Sequence, residues 1–307
     1  MDIIEKRIIE EIAGLHDVPE GAYNFRVNSA TDGRRSTANI EIRSKEDKSG
    51  IDVIIKPGTK NESVHIPVVI SETGLKEVVY NDFYIGEDCD VVIVAGCGIY
   101  NCGDQDSSHD GVHRFFIEKN AHCRYVEKHY GSGTEGARGK RIMNPRTEVY
   151  MKENTSMEME MVQIKGIDST YRSSLAVLSE GAELTVHERL MTHEDQEAES
   201  EYIVELNGNG ASANVVSRSV ARDNSHQRFI SKLHGNAQCA GHSECDSIIM
   251  DHARIEAVPE ITASSTEAAL IHEAAIGKIA GEQITKLMTL GLTEQEAEEQ
   301  IVNGFLK

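Results

Sequence analysis

Asn154-Thr-Ser-Met-Glu-Met-Glu-Met161 decides the fold: Met157, Met159 and Met161 alternate with Glu158 and Glu160. That is the two-residue period of a strand with one dry and one wet face, and a helix would need a 3.6-residue spacing. The same arrangement is a polar or glycine residue, then a small residue, then a short alternating run. It recurs as Asn120-Ala-His-Cys-Arg-Tyr-Val126, Gly181-Ala-Glu-Leu-Thr-Val186, Gly210-Ala-Ser-Ala-Asn-Val-Val216 and Asn236-Ala-Gln-Cys239. The small residues at 121, 155, 182, 211 and 237 are 34, 27, 29 and 26 residues apart, within the range of a solenoid. Stacked β-coils account for both period and interval, and an antiparallel sandwich with evenly spaced turns is the competing arrangement.

On either side the period changes. Ile3, Ile4, Ile8, Ile9, Ile12 and Leu15 recur at helical spacing among Glu and Lys, which predicts an amphipathic opening helix. From Asn39 to Val94, runs such as Ile51-Asp-Val-Ile-Ile55 and Val91-Val-Ile-Val94 are broken by Pro57-Gly58 and Glu72-Thr-Gly74, which are strand and turn signals. After the repeats, Ile284, Leu287 and Met288 share a helical face that Gly291 ends. A capping box of Thr293 and Glu296 then opens a second helix burying Ala297, Ile301, Val302 and Phe305. This hairpin is either a lid on the end of the solenoid or a partner surface. The expected organisation is a helical segment over 1–35, a β-helix core over 36–262 and a helical region over 263–307.

Fifty-one acidic against thirty-one basic residues give a net charge of −20, which repels nucleic acid and anionic membranes. No stretch of eighteen apolar residues and no apolar leader region occurs in the sequence, so a cytoplasmic location is expected. In such a chain the six cysteines are read as reduced thiols or metal ligands, not as a disulfide framework.

Two regions carry metal-capable residues. In the first, Gly96-Cys-Gly98, Cys102, Asp104, Asp106, His109, Asp110, His113 and His122 crowd together. The chemistry suits zinc or iron, and a zinc-dependent hydrolase on His109 and His113 is one reading. However, Cys97 and Cys102 have no third cysteine at ferredoxin spacing, and His109 to His113 lacks the glutamate of a His-Glu-x-x-His helix. In the second region, Cys245 sits in Gly241-His-Ser-Glu-Cys-Asp-Ser247 and Glu273 in Ile271-His-Glu-Ala274, 28 residues later. That separation matches a repeat interval, so thiol and carboxylate are expected in neighbouring coils roughly 4.8 Å apart. His234, His242, Glu244 and His252 flank the cysteine, and strand alternation sets Glu244 on the opposite face from Cys245. By default a lone cysteine among strands is a small buried hydrophobe.

Two further readings find less support. Gly131-Ser-Gly-Thr-Glu-Gly-Ala-Arg-Gly-Lys140 fails as a phosphate loop, because Thr134 stands where a leading glycine belongs and Arg141 follows Lys140. A polysaccharide-active β-helix enzyme is disfavoured by the lack of tryptophan and only 5% aromatic residues.

The Cys-Asp-Ser run at 245, the His-Glu-Ala run at 272 and the closing helices resemble the SufB/SufD family, the iron–sulfur scaffold proteins of the SUF system. The likeness is densest over 234–307, looser over 84–133, and that of a short or minimal member. It implies a right-handed parallel β-helix and a non-enzymatic scaffold. It also implies that Cys245 and Glu273, with His272 beside them, hold a transient cluster of [4Fe-4S] type. The helices bearing Ile284, Leu287, Met288, Ile301 and Phe305 would dock a SufC-type ABC ATPase. A single-gene version would act as a homodimer in a B2C2-like complex, receiving sulfur from a donor and passing clusters to apoproteins.

Overall fold

The computed structural model describes residues 2–134 and 136–307. It is a parallel β-solenoid of about eight turns, 58% strand, with helices at both ends. Helix α1 (Ile3–Ala13) precedes β1 (Ala22–Val27), β2 (Ala30–Arg35), β3 (Ile40–Ser44) and β4 (Gly50–Ile55). Next come β5 (Lys60–Ile70), β6 (Lys76–Ile85), β7 (Asp90–Asn101), β8 (Ser107–Ile117), β9 (His122–Gly133), β10 (Arg141–Met143), β11 (Arg146–Met151) and β12 (Ser156–Lys165). The remaining strands are β13 (Ser169–Leu178), β14 (Glu183–Thr192), β15 (Glu197–Leu206), β16 (Ser212–Ala221), β17 (His226–Gly235), β18 (Ala240–Ile249), β19 (Arg254–Ala263) and β20 (Ala269–Gly277). Helices α2 (Gly281–Met288) and α3 (Glu294–Phe305) close the chain. No helix is long and apolar enough to cross a membrane.

Strands fall into two facing walls. One runs β2-β1-β5-β7-β9-β12-β14-β16-β18-β20, the other β19-β17-β15-β13-β10-β8-β6-β4-β3 with β11 between β8 and β13. Alternation fills the space between them with Met157, Met159 and Met161, Val186, Tyr202, Val215 and Phe229. Five successive coils turn on a left-handed residue that Asn, Asp or Gly adopts at low cost: Asp88, Asn120, Asn154, Gly181 and Gly210. The next residue is small and buried: Cys89, Ala121, Thr155, Ala182 and Ala211. In the following coil this corner is occupied by Cys239, which directly precedes β18, and not by Ala237 as the repeat predicts. Cys89 and Cys239 are therefore corner fillers.

The strands extend from Ala22 to Gly277, where 36–262 was expected: β1 pairs with β5 at one end, and the His-Glu-Ala segment pairs with β18 over nine residues at the other. α1 packs Ile8 and Ile12 on the outer face of β7, where a Cβ at Gly96 or Gly98 would collide with them. Those glycines serve helix packing and leave Cys97 pointing inward. α3 seats Val302 and Leu306 against Val220 on the outer face of the same wall, roughly 1.5–3 kcal/mol of burial for each aliphatic side chain. The hairpin therefore leans on the side of the solenoid. Its last coil keeps Val258, Ile261, Ile271 and Ile276 exposed, and β19 and β20 are unpaired sheet edges.

Candidate functional site

In β18, Gly241, Ser243, Cys245 and Ser247 face the interior while His242, Glu244 and Asp246 face out. Cys245 is 1% exposed and its Sγ is 3.7 Å from the Ser247 Oγ. Burial pushes its thiol up to about 11 against the pull of that hydrogen bond, so at neutral pH it is a protonated thiol. Strand β20 sets His272 beside Ser243, Glu273 beside Glu244 and Ala274 beside Cys245. The 28-residue spacing thus delivers neighbouring strands, but the register is offset by one. Because side chains alternate, Cys245 and Glu273 project from opposite faces of the wall. His272 faces away from Glu273 and shares the inner face with Cys245.

Both ring nitrogens of His272 are buried without a hydrogen-bond partner, as is the Ser243 Oγ beside it. Burial, aided by nearby His242, lowers the His272 pKa, which keeps the imidazole neutral and its lone pair available. A buried polar group with no partner calls for an explanation. The imidazole lies on the same inner face as the buried Cys245, one inward position along the strand pair. The other flanking histidines are placed differently: His234 Nδ1 bonds the Glu205 Oε1 at 2.7 Å, and His252 stands exposed in a turn.

The second expected cluster is not a surface metal site. His109 and His113 are each 3% exposed inside the solenoid, His109 Nδ1 on the Glu77 Oε1 at 2.9 Å and His113 Nδ1 on the Tyr125 hydroxyl at 2.6 Å. A hydrolytic zinc needs an open ligand position reached by substrate. These imidazoles are committed to other partners in a packed interior, which removes the hydrolase reading. Asp110 faces away and accepts from the Asn144 side chain.

The sequence reading missed what surrounds these histidines. Cys97, His129 and Gln163 lie in register on adjacent strands. Burial alone would raise the Cys97 thiol, but His109 and His129 outweigh it and bring it to about 7. Glu127 accepts from the Arg172 Nη1 at 2.6 Å and is held well below the usual carboxylate range by His129 and Arg172 despite its burial. Arg172 Nε is 3.8 Å from the Glu188 Oε1, and Glu188 accepts from the Ser217 hydroxyl at 2.7 Å. Ser217 is the register partner of Cys245. A column of buried polar groups therefore runs through several coils and ends at the candidate ligand. Only the inward register positions, read coil by coil, would have revealed it.

All six cysteines are free, and only Cys102 is exposed. The Gly131–Lys140 segment leads from the end of β9 into β10, a strand where a phosphate loop would require a helix.

Comparison with known proteins identifies a family. The SUF system FeS cluster assembly, SufBD core domain matches residues 79–305. An iron–sulfur cluster assembly SufBD family protein of Methanothermobacter thermautotrophicus is 29% identical over 284 residues, 90% of this chain and 67% of its own length. One from Methanocaldococcus jannaschii is 27% identical over 270 residues, 87% of this chain and 84% of its own. Bacillus subtilis iron–sulfur cluster assembly protein SufB is 26% identical over 232 residues, 73% of this chain but 47% of that protein. With more than half its length matched by the core domain and a solenoid that ends in the Cys245 and His272 layer, the chain belongs to the SufBD family of iron–sulfur cluster assembly proteins.

Proposed function

We propose that this chain is a non-catalytic scaffold on which a [4Fe-4S] cluster, its cargo, is built by Cys245, His272 and Glu273 where two copies meet. The observation that carries the reading is the pair of partnerless ring nitrogens on His272 in the layer of the buried Cys245. A thiol and an imidazole on one face form a mixed soft and borderline ligand set suited to iron. Glu273, 68% exposed at its side chain, is placed to add a carboxylate from the outer side of the edge strand.

One chain supplies too few ligands for four irons, whereas a two-fold pairing of the same patch doubles them. The exposed edges of β19 and β20 and the uncovered apolar residues of the last coil favour such a pairing, since bare edges are templates for another chain. The α2–α3 hairpin, off the open end, is then the docking surface for a SufC-type ATPase. Ile284 and Leu287 are half-buried and Met288 is exposed on α2, while Ile301 and Phe305 are half-buried on α3. Together with the ATPase this makes a B2C2-like assembly, with nucleotide hydrolysis in the partner and clusters handed to apoproteins.

Anaerobic reconstitution with iron and sulfide tests the reading. Wild type should develop the broad visible absorption of a cluster and Cys245→Ser should not. A full-intensity cluster in the serine variant would reject the assignment.

A further inference from the structure

On the outside of the wall, behind Cys245, three side chains converge. His242, Glu244 and Glu273 each offer a ligand atom, and these atoms lie within 4.8 Å of one another. Glu244 and Glu273 are direct register partners on adjacent strands, an arrangement in which like charges repel. Among the described residues neither carboxylate forms an ion pair with a lysine or arginine; Arg218 draws on Glu244 only from a distance. The wall thus keeps a repulsive pair that a cation would neutralise.

The histidine supplies a second, independent sign. Its Nδ1 lies 2.8 Å from the Asn214 Oδ1. An amide oxygen only accepts, so Nδ1 donates to it and Nε2 is the nitrogen left outside that bond. Nε2 is the atom that faces the Glu273 Oε2, at 3.9 Å. A partner behind the ring that fixes the tautomer and aims the free nitrogen is the usual support of a ligating imidazole.

We propose that His242, Glu244 and Glu273 form an outward-facing site for a hard or borderline divalent cation, with Asn214 as the positioning residue. Two carboxylates and one imidazole with open positions suit Fe2+, Mn2+ or Co2+ better than the thiol on the other face does. The assignment of ferrous iron as the physiological occupant rests on the scaffold reading; the cation site itself does not. Hard-ion capture on the outer face then adjoins soft sulfur ligation inside, with Glu273 common to both.

Anaerobic titration of the full chain with Co2+, followed by its visible bands, and with Mn2+, followed by electron paramagnetic resonance, tests this. Wild type should bind Co2+ without a sulfur-to-cobalt charge-transfer band, and Cys245→Ser should bind it equally. Affinity should fall about tenfold or more in His242→Ala and Glu244→Gln, and about tenfold in Asn214→Ala, which touches no ion. Circular dichroism of each variant confirms folding, expected because these side chains lie on the surface. No binding by wild type, unchanged affinity in the His242 and Glu244 variants, or a charge-transfer band lost with Cys245 would overturn the proposal. Cobalt binding with failed cluster reconstitution would refute the scaffold reading and leave this site standing. The reverse outcome would do the opposite.

Discussion

Cys245 must be slow to react until the last coil opens. In an iodoacetamide pulse at pH 8, a thiol raised to about 11 is about one part in a thousand ionised, whereas an ordinary exposed thiol near 8.5 is roughly a quarter ionised. Ionisation alone therefore slows Cys245 roughly 200-fold. Its more basic thiolate is a better nucleophile, which returns about tenfold. The net retardation is about 20-fold before steric exclusion at 1% exposure adds to it. Timed labelling with peptide mass analysis should find Cys102 modified first, and Cys102→Ser should leave no fast site among the five remaining thiols. Labelling of Cys245 within a few-fold of Cys102 would refute both the packing of the last coil and the need for it to open before a ligand bond forms.

Further outcomes follow from the same contacts. Glu127→Gln leaves the buried Arg172, 3% exposed at its side chain, with Glu188 at 3.8 Å as its remaining carboxylate, and should cost about 3 kcal/mol, read as a lower urea midpoint; a change below 1 kcal/mol would contradict the ion pair. Despite burial, the Cys97 thiol and Glu77 raise His109 to about 10 and Glu127 raises His129 to about 9. Raised bases stabilise fully below their unfolded pKa near 6.5 and lose that contribution as pH rises through the folded values. The lowered Cys97 acts in the opposite direction between about 7 and 9, but one group does not outweigh two, so melting temperature should fall from about pH 6.5 to 10. A flat alkaline profile would argue against charged imidazoles in the interior. On α2, Leu287→Asp with Met288→Asp should abolish co-purification with the SufC ATPase while leaving the melting curve near wild type, and retained binding would move the docking surface elsewhere.

Alternation in Met157, Met159 and Met161 and the recurring Asn or Gly before a small residue made the stacked coils readable, because the corner demands a left-handed turn followed by a buried small side chain. The capping box of Thr293 and Glu296 was equally legible and is present. The end of the strands was less so: β19, an edge strand that tolerates Pro259, is followed by β20, which runs on to Gly277. Spacing placed Cys245 and Glu273 on neighbouring strands but could not settle a one-residue register, on which the face of every side chain depends. The interior column from Cys97 to Ser217 was hidden for a related reason: its members are far apart in sequence and meet only when coils stack. Cys97 drew notice for a motif whose glycines turn out to accommodate α1.

The sharing of one cluster between two chains is the claim most exposed to test. Sedimentation of the anaerobically reconstituted protein, with iron and sulfide quantified on the same sample, measures it directly. A dimer carrying about one four-iron cluster per two chains, lost with Cys245→Ser, is the predicted result. A monomer holding a complete cluster would contradict it.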